Sequence, residues 1–562
     1  MAKRRGWQGP EHGVREQSPR LRSPGKPALA KIFLWAAGLG GLVPLALPVL
    51  ALTESVGPQG IDARRLHAPP YSLTGEKIAI GQVEIGRPSR FGIDKVATET
   101  LPVAVRRVLL LDQVARPNEY VDGHAANVAS VMISQDKQRT GVAPEALLYS
   151  GAVGPLGNTT AQPEECLAAQ AVALQNGGDV RAINFSFGEP LTRDPRSNPV
   201  LDGNALLTQC IDWSARVHQT LYVIAGNQGR GGIPIPTDNF NGINVAYSRQ
   251  VGGEFNRLDA SNLGSEPTAP GRRGGAIETN EGPRRSISLV APGSAIELID
   301  PDGRVRTSSG SSFASPHVVG TIALMQQLVD RQFRAGVPNW PLAGRHPMVM
   351  KAVLLNSADK IKDSGDGLHL GMTRTLLDDS GNSWLASDAY RDPKIPLHKD
   401  LGTGHLNAYR AYQQLLPGAF GPGQPVPPIG WNITELTSPA GSTTGHDYEF
   451  ATPLQGGSFL SATLAWERVV ELADANRNDL YDRGESFRDR GLNNLNLYLL
   501  PADSDDLSES LWSSVSEVDS VEHIFYQIPE TGRYKLRVIY QQQVHGEPTQ
   551  PYALAWWTVP AP

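Results

Sequence analysis
The sequence predicts an α/β domain built on a central parallel sheet flanked by helices, followed by an antiparallel β-sandwich. Three observations carry that expectation. Between about residues 57 and 415, short apolar runs bounded by Gly or Pro alternate with helix-length segments, the pattern of βα units around a buried parallel sheet. A Pro/Gly-rich stretch, 417–428, then interrupts the chain. Beyond it, apolar residues recur at every second position, the period of strands with one buried face.

In chain order, residues 1–51 read as an address rather than as part of the fold. Eight basic residues against Glu11 and Glu16 precede an uncharged apolar run, 32–50, that ends at the small residue Ala51. This is the order of a secretory signal peptide. A retained membrane anchor is the alternative, since about 20 residues suffice to cross a bilayer. Either outcome exports the body of the chain to a secreted, periplasmic or cell-surface location. The whole chain carries a net charge of −6, so the body without its basic arm is more acidic still. That argues against a nucleic-acid partner. Two cysteines in 562 residues exclude a disulfide scaffold and a cysteine-built zinc cluster. No other stretch is long and apolar enough to span a membrane, so no membrane contact is expected beyond the N-terminal segment.

The first domain is assigned to 52–415. Its strand candidates are 77–83, 180–186, 220–225 and 286–290, and its helix candidates 124–135, 164–175, 203–219 and 312–333. In such a sheet, ligands sit beyond the carboxyl ends of the strands. A linker is assigned to 416–430 and the sandwich to 431–562. There Leu495, Leu497 and Leu499 alternate with other residues, as do Tyr534, Leu536, Val538 and Tyr540, and Tyr552, Leu554 and Trp556. Alternation without helices predicts antiparallel sheets.

The chemistry concentrates at Gly310-Ser311-Ser312-Phe313-Ala314-Ser315-Pro316-His317. Ser312 follows a turn of small residues and opens the helix 312–333, whose unpaired N–H groups and dipole suit a nucleophile and an oxyanion. Read alone, a serine there is more often a helix cap than a nucleophile. The segment resembles the nucleophile motif of the subtilisin-like serine proteases, the subtilases, with Ser311 where the family usually has threonine. The family's other motifs follow in its order. Asp122-Gly123-His124-Ala125-Ala126-Asn127-Val128 is similar to the histidine segment and makes His124 the general base; Asn127 stands where the family has a second histidine. The family's buried strand ending in aspartate is Ile78-Ala79-Ile80-Gly81-Gln82-Val83-Glu84 here, so Glu84 takes the acid's place, with Asp94 and Asp112 as alternatives. Ala225-Gly226-Asn227 resembles the oxyanion segment, with Asn227 as side-chain donor beside the Ser312 amide. Ile183-Asn184-Phe185-Ser186-Phe187-Gly188 resembles the strand lining the substrate cleft. Ser186, Phe187, Gly188 and Gly226 are therefore the substrate-binding residues, with room for a large apolar side chain.

The resemblance covers about 57–415. It implies a serine endopeptidase acting on proteins or peptides through a Ser–His–Glu triad and an acyl-enzyme, with no cofactor for catalysis. The alternative is a decayed subtilase scaffold that binds or adheres, for which Glu84 and the altered histidine segment speak. Too few residues separate position 52 from the first strand for the propeptide domain many subtilases carry, so 56–63 is expected to pack as an extension of the catalytic domain.

Two further features stand apart. Asp474, Asn476, Asn478, Asp482 and Glu485 are spaced like the ligands of an EF-hand-type calcium loop, with Asp479 where glycine is expected. A polar hairpin loop without metal is the alternative. Cys166 and Cys210 fall on successive helices; export permits a disulfide, and two buried thiols are equally compatible with the sequence.

Overall fold
The computed structural model describes residues 52–155, 160–226, 235–251, 254–257, 284–437 and 445–562. The export segment assigned to 1–51 and the oxyanion residue Asn227 lie outside the described residues. The chain enters through two short helices, α1 (Leu52–Val56) and α2 (Arg64–His67), and then builds the central sheet. Its strands are β1 (Ala79–Glu84), β2 (Arg107–Leu110), β3 (Gln113–Val114), β4 (Leu147–Ala152), β5 (Val180–Phe185), β6 (Leu221–Ala225), β7 (Ile243–Val251), β8 (Glu254–Arg257) and β9 (Leu289–Pro292), with β12 (Leu376–Leu377) at the margin. A separate hairpin, β10 (Ile296–Ile299) and β11 (Val305–Ser308), follows β9. The order is β12-β8-β7-β6-β5-β1-β4-β2-β3, with β9 also on β7. Strands β2, β4, β1, β5, β6 and β7 run parallel; β3 and β8 are antiparallel additions.

Every residue of β1 and β5 is buried, as expected of strands covered on both faces. One apolar cluster joins the sheet to α3 (Gly123–Ile133), α7 (Ser311–Arg334) and α8 (Pro347–Asn356). The other joins it to α4 (Gln162–Ala173) and α6 (Leu206–Val217), with the short α5 (Gln175–Gly178) between them. The α9 helix (Ala408–Leu415) closes this part of the chain. Predicted strands and helices shift by no more than three residues at either end. The apolar-run criterion misses β4, because Leu147–Ala152 holds a glycine and no β-branched residue. No described helix is long and apolar enough to cross a membrane.

The C-terminal part comprises β13 (Ile429–Thr437), β14 (Gly445–Glu449), β15 (Phe459–Trp466), β16 (Val469–Leu472), β17 (Phe487–Gly491), β18 (Asn494–Pro501), β19 (Trp512–Ser514), β20 (Val521–Gln527), β21 (Tyr534–Gln542) and β22 (Thr549–Trp557). Two antiparallel sheets, β13-β22-β15-β20 and β14-β21-β18-β19, enclose one apolar core. Leu495, Leu497, Leu499, Leu536, Val538, Leu554 and Trp556 all point into it, which is the alternation seen in the sequence. The alternate residues of β22, Ala553 and Ala555, belong instead to the core around α8. Small side chains there let the sheet lie directly on the helix. The stretch 417–428 is pinned along its length: the Ala419 amide donates to Asn339 O (2.7 Å), Phe420 to Trp431 O (2.9 Å) and Val426 to Glu449 O (2.8 Å).

Candidate active site
β1 delivers Glu84 at its carboxyl end, and α3 delivers His124 on its first turn. The turn forms because the Asp122 carboxylate caps the helix, accepting from the Ala125 amide at 2.9 Å. Gln82 Nε2 donates to Ala125 O and to Ser150 Oγ, both at 3.1 Å, tying that turn to the sheet. Glu84 Oε2 then lies 3.1 Å from His124 Nδ1, the carboxylate almost fully buried and the imidazole 41% exposed. Burial pushes the Glu84 carboxyl above its ordinary value, an effect the imidazole partly offsets. Burial alone would lower His124, but the charge and hydrogen bond of Glu84, with Asp122 behind them, hold it above the ordinary histidine value. Asn127 faces away from this pair: its Nδ2 donates to Ile299 O and Asp300 Oδ1, each at 3.0 Å, and fastens α3 to the β10–β11 hairpin.

Ser312 is the second residue of α7. The helix is entered through Gly310 at φ +153°, ψ +162°, a conformation only glycine takes without strain. Ser311 Oγ donates to Gly226 O at 2.6 Å, holding the turn against the end of β6. Pro316, four residues after Ser312, has no N–H to give to the Ser312 carbonyl. Ser186 Oγ fills that role at 2.9 Å and itself receives Asn184 Nδ2 at 2.8 Å. In return the Ser312 hydroxyl donates to Ser186 O at 3.1 Å. The ring of Phe313 stands 5.6 Å from that of His124, so the imidazole lies beside the first turn of α7. The Ser186 side chain, assigned to substrate by motif reading, is thus a structural partner of the Ser312 turn; the proline four residues past the serine is the signal that could have pointed to that role.

Of the residues assigned to substrate, Ser186, Phe187 and Gly188 continue from β5 and are all buried. Phe187 stacks on Phe185 at 5.4 Å and is 9% exposed, so most of its ring is committed to the core. Gly226 donates to Val245 O at 2.8 Å, and a β-carbon there would meet that same oxygen at 2.8 Å. The alternative acids are placed elsewhere. Asp94 is held by both terminal nitrogens of Arg87, at 2.6 and 2.8 Å, in a fully buried pair. Asp112 sits in the turn between β2 and β3.

The calcium-like loop joins β16 to β17. Asp474 accepts from the amides of Arg477 (2.6 Å) and Asp479 (2.8 Å), Asn476 and Asn478 donate to Asp482 Oδ2 (2.7 and 2.8 Å), and Glu485 accepts from the amides of Ala475 (2.8 Å) and Asp482 (2.9 Å). Asp479 takes φ +61°, the left-handed turn that glycine usually supplies at this position. Cys166 and Cys210 are joined by a disulfide between α4 and α6.

Residues 110–375 match the family model described as the subtilase family. Glu84 precedes the matched span. Subtilisin Savinase of Lederbergia lenta is 27% identical over 209 residues, 37% of this chain and 64% of that protein. An intracellular serine protease of Paenibacillus polymyxa is 33% identical over 79 residues, 14% of this chain and 24% of that protein. Thermitase of Thermoactinomyces vulgaris is 24% identical over 242 residues, 43% and 68% of the two chains. The chain therefore spans less than two thirds of the first two relatives. The solved structure of the prenylagaramide maturation protease PagA is similar over 64% of this chain and 99% of its own, at 20% identity and a TM-score of 0.40. By this match residues 110–375 are similar to the subtilase family.

Proposed function
We propose that this protein is an exported serine endopeptidase that cleaves proteins or peptides through an acyl-enzyme. The observation that carries the reading is the Glu84 carboxylate seated on His124 Nδ1, with the imidazole beside the helix turn that holds Ser312. Glu84 keeps the Nδ1 proton on its own side, which leaves the Nε2 lone pair free for the serine. The Ser312 hydroxyl leaves the Ser186 carbonyl by rotation about χ1 and gives its proton to Nε2 as Oγ attacks the substrate carbonyl. The oxyanion is held by the Ser312 amide and, by family resemblance, by Asn227; one such donor is worth about 2.7–4 kcal/mol in the transition state. The C–N bond then breaks as His124 protonates the leaving amine. Water, deprotonated by the same imidazole, hydrolyses the ester and restores Ser312.

Labelling by a fluorophosphonate tests the assignment. The parent protein is expected to be labelled at Ser312 and to cleave unfolded protein substrates, and Ser312→Ala to lose both, with turnover down on the order of 10⁶-fold. Proteolysis that survives in a pure Ser312→Ala sample would sink the reading; an inert parent would favour a binding scaffold. Export is supported by the signal-like composition of 1–51.

A structural calcium at 474–485 is also part of the proposal. The side-chain oxygens of Asp474, Asn476, Asn478, Asp482 and Glu485 are the hard donors calcium takes. The ion would stabilise the hairpin and take no part in the reaction.

A further inference from the structure
The N-terminal extension reaches the underside of the nucleophile helix. Ser55 and His317 are both fully buried, as are Leu52 and Val56 on either side. Ser55 Oγ lies 2.8 Å from His317 Nε2, and His317 Nδ1 lies 2.7 Å from Phe313 O, the carbonyl next to Ser312. We infer that Ser55 is a positioning residue for the nucleophile, holding the first turn of α7 through the His317 imidazole. This rests on the endopeptidase reading above.

Three observations carry it. The first is the proton arrangement. Phe313 O is an acceptor, so Nδ1 must carry the hydrogen there. Burial pushes His317 down to about 4, so the ring is neutral at working pH and Nε2 is a bare lone pair. The Ser55 hydroxyl has one hydrogen and two acceptors within reach, Nε2 and Leu52 O at 2.9 Å; given to Nε2, that hydrogen fixes the ring's plane. The second is the broken helix. Pro316 removes the ladder bond to the Ser312 carbonyl, so side-chain partners at this turn matter more than in an unbroken helix. Ser186 takes the Ser312 carbonyl from the sheet side and His317 takes the Phe313 carbonyl from below. The third is that α1, which presents Ser55, is held in place by the turn after it. The Ile61 amide donates to Ser55 O at 2.8 Å, and the Ala408 amide of α9 donates to Ile61 O at 2.7 Å. A β-carbon at Gly60 would lie 1.8 Å from Ser55 O, so only glycine fits that turn. Without the Ser55 hydroxyl the imidazole loses its second anchor, the Phe313 carbonyl shifts, and the Ser312 amide and Oγ move with it. The residues just past the expected export cleavage point are then part of the catalytic scaffold.

The test compares the full-length parent with Ser55→Ala and Val56→Ala, each counted by active-site titration with a fluorophosphonate so that rates are per intact site. Val56 neighbours Ser55 and contributes packing alone. Ser55→Ala is expected to lower kcat per titrated site about tenfold with KM unchanged, as a sub-ångström misplacement of the reacting group would. Val56→Ala is expected to lower Tm while keeping the parent kcat per site. Parent-like kcat per site in Ser55→Ala would overturn the inference. So would an equal loss in Val56→Ala, because the effect would then follow stability. A parent that is not labelled at all overturns the endopeptidase reading and this inference with it, a result distinct from a labelled parent with an unaffected variant.

Discussion
Glu84 reaches His124 with one more methylene than an aspartate has, and its Oε2 still arrives at 3.1 Å from Nδ1. The consequence is electrostatic. A buried carboxylate beside a half-exposed imidazole favours the imidazolium, so His124 is held above its ordinary value. In the proposed mechanism His124 is the general base and works only when neutral, so kcat/KM is expected to rise with pH through that raised value, with the acid limb of the profile above the usual histidine pKa of about 6.5. Glu84→Gln removes the charge. The acid limb is expected to move to lower pH, while kcat at the plateau falls by about 10⁴-fold, the scale found when a triad acid is amidated elsewhere. A pH–rate profile of both proteins checks this; an unmoved acid limb would exclude Glu84 as the partner. Ser312 and His124 are legible in the sequence because their motifs are local. Packing separates the two acids: Asp94 is held in a buried pair with Arg87, while Glu84 faces His124.

The hairpin β16–β17 shows how elements far apart in sequence are clamped together. Val470 and Tyr481 pack with Cys166, Cys210 and Trp213, on the disulfide that joins α4 to α6. Gln170 of α4 donates to Tyr481 O at 3.1 Å and accepts from the Tyr481 amide at 2.6 Å, inside the calcium-like loop. Order in that loop is therefore transmitted to α4. Calcium is expected to raise Tm of the parent and a chelator to lower it, and Asp474→Ala to abolish the difference, its Tm in chelator lying below the parent's because two loop amides lose their acceptor. Calorimetry with and without the ion decides this, and a parent indifferent to calcium would remove the proposed ion. The ligand spacing is visible in the sequence. That the loop rests on the disulfide helices is not, because the contact joins residues 311 positions apart.

Across the whole molecule, the C-terminal sheets are seated on the catalytic region through a seam of alanines and buried charges. Ala553 and Ala555 let β22 lie on α8, Ser461 and Thr463 both donate to Asn356 Oδ1 (2.9 and 3.1 Å), and Ser520 Oγ donates to Phe240 O at 2.7 Å. Glu467 is enclosed in this seam, and burial pushes its carboxyl up to about 7 against attraction from Arg216 and Lys351. Its unfolded value is the ordinary one, near 4.5, so between the two the unfolded chain releases a proton that the folded protein keeps. Stability must then fall as pH rises through that window. Glu467→Gln is expected to flatten this slope, being near neutral at pH about 4.5 and stabilising at pH about 8. Urea unfolding at the two values checks it, and parallel slopes in parent and variant would show that Glu467 is not responsible.

The sequence by itself determined the α/β plan and the sandwich, and it singled out the serine and histidine of the proposed triad. Each of these is written in short-range pattern: buried runs between Gly and Pro, strict alternation, a nucleophile motif. Only the tertiary structure decided the contacts that complete the site. The Ser186 hydroxyl answers a carbonyl orphaned by Pro316, and Ser55 meets His317 across 262 residues of chain. The alanines between the core residues of β22 look featureless in sequence and turn out to face a helix. The physical reason is common to all three. A side chain's partner across the fold is set by which strands and helices the topology brings together, and local composition carries no record of that choice.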